Sequence, residues 1–173
     1  MHFLTFDEYL GQIAASGRAY WKKSASERWE YLAAAMGMAQ VYMPESLLEI
    51  GSAGLKCSRD SIGIDTNRDF PAEVYHDICE VPWPFKDKEF DMVLALQVFE
   101  HLKGHQRESF QEVKRVSKSF ILSIPYKWKR DPGNCHNNLS ESDLYAWTGM
   151  HPNCMAIVGH PRRLRLVARY AFE

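Results

Sequence analysis

A glycine turn and an acid follow the first two strand-like segments of the chain. The apolar run Leu47–Ile50 leads into Gly51-Ser52-Ala53-Gly54, and the next run, residues 61–64, is followed at once by Asp65. Glycine lets a backbone approach a ligand closely, and an acid at a strand tip can accept both hydrogen bonds of a ribose diol. This spacing is typical of a nucleotide-cofactor site, although glycine turns and helix-capping aspartates also occur without one.

A second acid follows the third short apolar segment. Asp77 comes after Val74 and Tyr75 and precedes the proline-containing stretch 81–85. Since the ends of parallel strands meet at one edge of a sheet, we expect Asp77 to lie near Asp65. The repeated pattern of strand followed by acid strengthens the prediction of a cofactor site.

Two histidines are candidate general bases, because the unperturbed pKa of imidazole, about 6.5, suits proton transfer near neutral pH. His101 follows the apolar run Met92–Leu96, and His136 lies in a long loop after Pro125 that is rich in aromatic and basic residues. That loop could hold an anionic or sugar-like acceptor, or the phosphate of RNA. The alternatives are a packing or capping role for His101 and a solvated basic loop around His136.

The sequence predicts no metal site. His101 and His105 are four residues apart, but the glutamate of an HExxH pattern is missing, so we expect a pair on a surface helix. The cysteines are widely spaced and form no CxxC pair: Cys57, Cys79, Cys135 and Cys154. With no secretion signal and no apolar run of the roughly 20 residues that span a bilayer, we expect a reduced cytoplasmic protein.

Composition and charge favour a small ligand over a polymer. The 173 residues are 46% hydrophobic and 13% aromatic, which excludes a disordered chain, and the net charge of −1 provides no overall attraction to nucleic acid or to a membrane. Residues 1–113 carry 11 basic and 18 acidic side chains, and residues 114–173 carry 10 and 4. Such an asymmetry could guide an acidic substrate, or the two halves could neutralise each other in the fold.

The elements that must position these residues form a single predicted domain over residues 1–173. Two capping boxes, Thr5 with Glu8 and Ser24 with Glu27, predict two amphipathic helices within residues 1–42. This helical lead-in could cover a sheet or form a lid over a ligand.

Residues 43–173 alternate strands and helices, the pattern of a mostly parallel α/β sheet. Strands are predicted at residues 47–50, 61–64, 74–75, 92–96 and 120–124, with a helix around Phe110, Val113 and Val116 and a short helix over 140–149. The last two apolar runs, 155–158 and 164–172, have no helix between them and can pair only as an antiparallel hairpin.

The stretch from Leu47 to Tyr126 resembles class I S-adenosylmethionine-dependent methyltransferases of the small bacterial type. The third motif of that family runs acid, spacer, Pro-Phe, acid, Phe-Asp-x-Val, as residues 77–93 do here. The match continues through Gln97-Val98-Phe99-Glu100-His101-Leu102 and Phe110-Gln111-Glu112-Val113-Lys114-Arg115-Val116. The resemblance implies a Rossmann-like fold that binds S-adenosylmethionine, releases S-adenosylhomocysteine and methylates oxygen or nitrogen of a small-molecule acceptor.

The resemblance also implies roles for individual residues. Glu49 matches the acid that interacts with the ammonium of the cofactor, and Gln97 lies where the fourth strand opens toward the methionine part. Asp65 matches the ribose-binding acid, while Asp77 and the backbone of Ile78 match the positions that bind the adenine edge. The glycine loop is carried over as a cofactor-binding segment: Gly51, Ser52, Ala53 and Gly54.

Two departures from the family pattern keep other functions open. The second and third glycine positions are Ala53 and Leu55, and only residues 55–60 separate the loop from the second strand. Six residues are too few for the usual helix, so we expect a single turn, with the flank filled by the N-terminal helices or by a second subunit of a homodimer. The alternatives are a catalytically silent module that works through a partner, an RNA methyltransferase and, more remotely, an NAD-dependent oxidoreductase.

Overall fold

The computed structural model describes residues 1–172 and contains one seven-stranded sheet with the order β3-β2-β1-β4-β5-β7-β6. The strands are β1 (Leu47–Ile50), β2 (Ile62–Asp65), β3 (Val74–Tyr75), β4 (Met92–Leu96), β5 (Ser119–Pro125), β6 (Cys154–Val158) and β7 (Arg165–Ala171). Strands β1 to β5 are parallel, and β7 pairs antiparallel with both β5 and β6. The predicted Rossmann-like sheet with an antiparallel C-terminal hairpin is therefore confirmed.

Helices cover both faces of the sheet. The helices are α1 (Phe6–Ser16), α2 (Ala19–Lys23), α3 (Ala25–Gln40), α4 (Gln106–Val116) and α5 (Glu141–Thr148), and a 3₁₀ turn spans Phe99–His101. Because successive strand residues point to opposite faces, Leu48 and Val93 pack with α4 and α5, whereas Leu47 and Leu94 pack with α1 and α3. The N-terminal helices thus cover one face of the sheet, the first of the two arrangements that the sequence left open.

One of the two predicted capping boxes forms. The Thr5 hydroxyl accepts from the N–H of Glu8 at 3.3 Å, and the Glu8 carboxylate accepts from the N–H of Thr5 at 2.7 Å. The box predicted at Ser24 is wrong, because the Ser24 hydroxyl donates to the carbonyl of Tyr20 at 3.0 Å instead. Tyr20 belongs to α2, which runs almost directly into α3 and leaves no free helix start for Ser24 to cap.

The connection between β1 and β2 lacks even the single helical turn that the sequence predicts. Residues 51–61 form turns and contain no helix. The N-terminal segment lies against this connection, with the N–H of Leu4 donating to the carbonyl of Cys57 at 2.9 Å and Phe3 forming an isolated bridge with Ser58. Residues 1–4 therefore occupy part of the flank that the missing helix leaves open.

Candidate functional site

A cavity of about 550 Å³ lies at the carboxyl edge of the parallel strands. Its volume falls in the range of about 300–1,000 Å³ that is usual for small-molecule sites. Seven of the residues predicted from the sequence line it: Gly51, Ala53, Asp65, Asp77, Ile78, Gln97 and His101. Three others lie beside it: Ser52 and Glu49 line a small crevice on the side of α3, and Gly54 lines a separate cleft near Ser16.

Asp65 joins the tip of β2 to the glycine loop. Its Oδ2 accepts a hydrogen bond from the N–H of Ala53 at 3.2 Å, and its Oδ1 accepts from the N–H of Asn67 at 2.9 Å. The side chain is 9% exposed and faces the cavity. A carboxylate has about four lone-pair positions, so Asp65 can still accept from the hydroxyls of a ligand.

Asp77 and Ile78 lie in the turn after β3. The Asp77 Oδ1 accepts from the N–H of Cys79 at 2.9 Å, which orients the carboxylate. The carbonyl of Ile78 accepts from the indole Nε1 of Trp83 and from the Ser109 hydroxyl, both at 3.0 Å. Within residues 1–172 the N–H of Ile78 has no acceptor, so this donor is available to a planar base in the cavity.

The glycine loop is tightly packed against its neighbours. A Cβ added to Gly51 would lie 2.9 Å from Val98 Cγ2, and one added to Gly54 would lie 2.7 Å from the ring of Pro71. Both glycines have positive φ, and so does Ala53 at φ 54°, where the usual family residue is glycine. A non-glycine residue in this left-handed region is strained, and such strain is often found at functional sites.

Gln97 is also strained, with φ 60° at the end of β4. Its backbone N–H donates to the carbonyl of Ser123 at 2.9 Å, and its side-chain amide donates to the Ser123 hydroxyl at 3.1 Å. These two bonds to β5 hold the amide of Gln97 at the rim of the cavity.

Glu49, for which the resemblance implies a contact with the ammonium of the cofactor, is buried against the connection between β1 and β2. Glu49 is 3% exposed, and its carboxylate accepts from the N–H of Cys57 at 2.7 Å, the N–H of Ser58 at 3.0 Å and the Ser61 hydroxyl at 2.6 Å. The short connection folds back over β1 and brings these donors to the carboxylate. Burial raises the pKa of Glu49, and the three hydrogen bonds act in the opposite direction.

Arg18 connects the N-terminal helices to the cavity. Its guanidinium donates to the carbonyls of Ala53 at 3.3 Å and Asp69 at 3.1 Å, and it stacks 4.0 Å from the ring centroid of Phe70, which lines the cavity. The segment between α1 and α2 therefore supports the glycine loop from outside.

The two predicted bases lie next to each other. The ring centroids of His101 and His136 are 4.9 Å apart at an interplanar angle of 81°, and their Nε2 atoms are 3.4 Å apart. Desolvation lowers the pKa of both imidazoles, and for His136 the neighbouring His101 adds to the effect. Both rings are therefore neutral at pH 7, although His101 remains exposed at the rim.

Cys135 completes a cluster with these histidines. Its Sγ lies 3.5 Å from His101 Nδ1 and 3.8 Å from His136 Nδ1. The pairing of His101 with His105 on one helix is wrong, because His101 ends the 3₁₀ turn and His105 is the N-cap of α4. Burial, followed by the nearby Glu100, raises the pKa of the Cys135 thiol.

Several buried polar groups between α3 and the tips of β4 and β7 have no hydrogen-bond partner within residues 1–172. They are Arg28 Nε, Tyr31 Oη, both carboxylate oxygens of Glu100 and Arg165 Nε. The guanidinium of Arg165 lies 5.6 Å from the Tyr31 ring centroid and 4.0 Å from that of Trp128. Burial raises the pKa of Glu100 to about 8, and Arg165 opposes this shift. Unpaired buried groups of this kind are costly unless a ligand satisfies them.

Sequence reasoning missed Glu100, Tyr31, Arg165 and Cys135 as site residues. Tyr31 and Arg165 lie in α3 and β7, where ordinary amphipathic patterns account for them, and no local signal brings them to one place. Glu100 lies between the apolar residues Phe99 and Leu102, and this neighbourhood is the one sequence signal that indicates its burial.

Comparison with known proteins gives a domain match over the central part of the chain. Residues 36–119 match the Methyltransferase domain family. No curated protein matches the chain. The matched segment begins in α3 and ends at the start of β5, so it includes the glycine loop, Asp65, Asp77 and His101.

Solved structures with low sequence identity share the fold. A SAM-dependent methyltransferase of Thermotoga maritima, described as a possible histamine N-methyltransferase, has a TM-score of 0.64 at 14% identity, with 89% of this chain and 95% of that chain covered. A chain from the complex containing the Haloferax volcanii Trm112 methyltransferase activator has a TM-score of 0.62 at 11% identity, covering 98% of each chain. The N-terminal domain of EvdMO1, solved with SAH and D-fucose, has a TM-score of 0.56 at 13% identity, covering 82% of each chain.

Across residues 1–172, every helix is too short or too polar to cross a lipid bilayer.

Proposed function

We propose that this chain, which carries a methyltransferase domain with the class I fold, transfers a methyl group from S-adenosylmethionine to oxygen or nitrogen of a small-molecule acceptor. S-adenosylhomocysteine is the product that leaves the site. Both packed cores share one sheet, which supports a single catalytic domain over residues 1–173 with the lead-in 1–42 packed on the α/β core. The four cysteines are free thiols, which agrees with a reducing cytoplasmic setting.

One observation carries the proposal: the carboxylates at the tips of successive strands face a single open cavity of the right size. Asp65 follows from β2 and Asp77 from the end of β3, and both line the same volume of about 550 Å³ as Gly51 and Ala53. Among residues 1–172, no side chain fills this edge of the sheet. The residues fit an adenosine, since Asp65 supplies acceptors for a ribose diol and the free N–H of Ile78 supplies a donor for the adenine ring.

The remaining predicted residues have supporting roles in this proposal. Gly51 and Gly54 allow the loop to pass close to Val98 and Pro71. Between them, the carbonyl of Ser52 accepts from the N–H of Leu55 at 3.0 Å, and the N–H of Ala53 donates to Asp65 at 3.2 Å. Gln97 lies at the rim, where its amide could contact the methionine part of the cofactor. Glu49 holds the connection between β1 and β2, so its effect on the cofactor is through the position of the loop.

The bound cofactor supplies an electrophilic methyl group, and the protein has mainly to align the acceptor with it. No nucleophilic side chain is needed. Either His101 or His136, both neutral at pH 7, can accept a proton from an acceptor hydroxyl or ammonium as the new bond forms. His101 lines the cavity, and His136, in the loop after β5, contacts the ring of His101.

An acceptor with hydroxyl or amine groups is part of this proposal, because a general base beside the cavity is of use only to an acceptor that carries a proton to be removed. The fold neighbours named for histamine N-methylation and for a complex with D-fucose are in keeping with such acceptors.

The proposal is tested by following tritium from methyl-labelled S-adenosylmethionine into three fractions of a cell extract. The fractions are the small-molecule ultrafiltrate, the total RNA and the protein. After chromatography has removed unreacted S-adenosylmethionine from the ultrafiltrate, we expect a new labelled compound with the wild-type chain and, at limiting cofactor concentration, much less of it with Asp65→Ala. Asp69→Asn, which changes an exposed acid near the same loop, serves as the control that keeps activity.

Other outcomes of this experiment identify the competing functions. Label confined to RNA would support an RNA methyltransferase that uses the basic cleft formed by residues 126–130 and 161–164. An absence of label in all fractions, together with an absence of binding to S-adenosylhomocysteine, would support a silent module or an enzyme that requires a homodimer or an activator protein.

A further inference from the structure

His101, Cys135 and His136 form a cluster of metal-ligating side chains. The proposed methyl transfer uses at most one of them, an imidazole that accepts a proton. One ligand atom from each side chain lies within 4.8 Å of the other two. We propose that these three residues form a binding site for a single divalent ion of the zinc class at the rim of the cavity.

The spacing agrees with tetrahedral coordination. With Zn–N of about 2.0–2.1 Å and Zn–S of about 2.3 Å, tetrahedral ligands lie about 3.4 Å apart for two nitrogens and about 3.6 Å apart for nitrogen and sulfur. The Sγ of Cys135 is 3.5 Å from His101 Nδ1 and 3.8 Å from His136 Nδ1, close to the nitrogen–sulfur value, and one ligand atom from each of the three side chains lies within 4.8 Å of the other two. The ligand atoms would have to draw together by up to about 1.4 Å to reach the tetrahedral spacing, which rotation of the exposed side chains of His101 and Cys135 would bring about.

The donor set selects the class of metal. Two imidazoles and a thiolate are borderline to soft ligands, which favour zinc and related transition ions over magnesium or calcium. Three protein ligands leave one coordination position open, as is usual where the ion binds a small molecule and unusual where it only supports the fold. When the ion binds, the thiol of Cys135 gives up its proton to solvent and the sulfur becomes a thiolate ligand.

An unpaired buried carboxyl group next to the cluster is a second observation that points to a cation. Glu100 immediately precedes His101, is 4% exposed, and neither carboxylate oxygen has a hydrogen-bond partner within residues 1–172. Buried oxygens without a partner are unfavourable, and a divalent cation close by would give them one.

Two neighbouring strands position the ligands before any ion binds. His101 ends the 3₁₀ turn that follows β4, and Cys135 and His136 lie in the loop that follows β5, the parallel partner of β4. The loop is anchored by the Trp128 indole, which donates to the carbonyl of Leu164 at 2.7 Å, and by the Asn138 N–H, which donates to the carbonyl of Trp128 at 2.7 Å. The open coordination position would adjoin the cavity because His101 lines it. With the ion bound, His101 and His136 would be ligands and not bases, and the use of the ion in their place, to polarise an acceptor oxygen or nitrogen, rests on the proposed function.

Cobalt(II) is the probe that tests the site. The full chain, prepared without a polyhistidine tag and treated with a chelator, is titrated with Co²⁺ while its absorption spectrum is recorded. We expect saturation at one ion per chain, a sulfur-to-cobalt charge-transfer band in the near ultraviolet, and displacement of cobalt by Zn²⁺. Calorimetry in buffers of different ionisation enthalpy should show release of the thiol proton.

Matched variants identify the ligands. Cys135→Ser should remove the charge-transfer band, and His136→Asn should weaken cobalt binding by more than about 100-fold, since even partners outside the first coordination sphere contribute about 10- to 100-fold. Cys79→Ser and His105→Asn change residues that line the same cavity but lie outside the cluster, and both should bind cobalt as the wild type does. Cys135 is exposed, so its replacement should leave the unfolding temperature nearly unchanged.

The proposal is overturned if cobalt does not saturate at one ion per chain, or if the charge-transfer band persists in Cys135→Ser. These readouts need no cofactor and no acceptor. Binding of S-adenosylhomocysteine, measured on the same metal-free samples, separates the two hypotheses: a chain that binds the nucleoside but not cobalt retains the proposed function and loses only the metal site.

Discussion

The carboxylate of Asp65 accepts a hydrogen bond from the N–H of Ala53, at 3.2 Å, and so joins the tip of β2 to the loop that leaves β1. The same carboxylate faces the cavity. The loop and Asp65 are thus one unit, and a change in the loop is expected to alter the position of the acid.

Replacing Ala53 with glycine should relieve strain in this unit. At φ 54° an alanine costs roughly 1–2 kcal/mol, whereas glycine adopts this conformation freely but costs roughly 0.5–1 kcal/mol in unfolded-state entropy. We expect Ala53→Gly to raise the free energy of unfolding by up to about 1 kcal/mol in urea titrations. Ala14→Gly, in the exposed face of α1, should instead lower it by about 1 kcal/mol. Equal losses in the two variants would contradict the assignment of strain to Ala53.

Glycine at position 54 is required by contact as well as by conformation. Its added Cβ would lie 2.7 Å from Pro71, while that of Gly104, also at positive φ, has no atom within 4 Å. Gly54→Ala should therefore be destabilising by at least about 1 kcal/mol more than Gly104→Ala, because the ring of Pro71 must move. Thermal unfolding of both variants measures the difference, and similar melting temperatures would show that the loop can yield without cost.

Glu49 is expected to affect stability far more than ligand binding. In Glu49→Gln the new amide N–H₂ faces the donors on Cys57, Ser58 or Ser61, so at least one buried donor loses its acceptor. We expect a loss of roughly 1–3 kcal/mol in the free energy of unfolding. The affinity of the folded variant for S-adenosylhomocysteine should stay close to that of the wild type. A large loss of affinity with unchanged stability would instead assign Glu49 to the ammonium of the cofactor.

We expect the ionised carboxylate of Glu112 to stabilise the fold in a pH-dependent way. Its carboxylate accepts from the Arg115 guanidinium at 2.7 and 2.9 Å and from the N–H of Trp83 at 2.6 Å. The Arg115 hydrogen bonds, followed by that of Trp83 against the opposing effect of burial, hold the pKa of Glu112 below its usual range. The contribution is therefore complete above the unfolded pKa of about 4.3 and is lost as the pH falls through the lower folded pKa.

Glu112→Gln should lower the free energy of unfolding at pH 7 by roughly 1–3 kcal/mol. The difference from the wild type should shrink as urea titrations are repeated at pH values below about 4.3. Glu108→Gln, an exposed acid on the same helix, is the control and should show little effect at any pH. A difference between Glu112→Gln and wild type that stayed constant with pH would mean that the charge of Glu112 does not matter.

The sheet could be predicted because its signals are local. Each parallel strand is a short apolar run bounded by turn residues, and the terminal hairpin follows from two runs without an intervening helix. The helix ends at Thr5, Ser140 and Gly149 follow from capping residues that act within one turn. Ser24 carries the same pattern but has a competing acceptor in Tyr20, which only the placement of α2 reveals.

That Asp65 and Asp77 line one cavity could also be predicted, since the ends of neighbouring strands in one parallel sheet lie at the same edge. The partners of Glu49 could not, because they depend on how a six-residue connection folds back. The cluster of His101 and Cys135 joins residues 34 positions apart, with no pattern in either segment that indicates the other. Long-range contacts of this kind are set by the packing of a loop on its neighbours and not by residue spacing.

Calorimetric titration with S-adenosylhomocysteine tests the central claim most directly. The wild-type chain and Asp69→Asn should bind one molecule per chain with the same affinity. Asp65→Ala should bind about 5- to 150-fold more weakly, which corresponds to the roughly 1–3 kcal/mol expected when two ribose hydroxyls lose their acceptor. An affinity for Asp65→Ala equal to that of the wild type, or a wild-type chain that binds no S-adenosylhomocysteine, would contradict the assignment of the cavity to the cofactor.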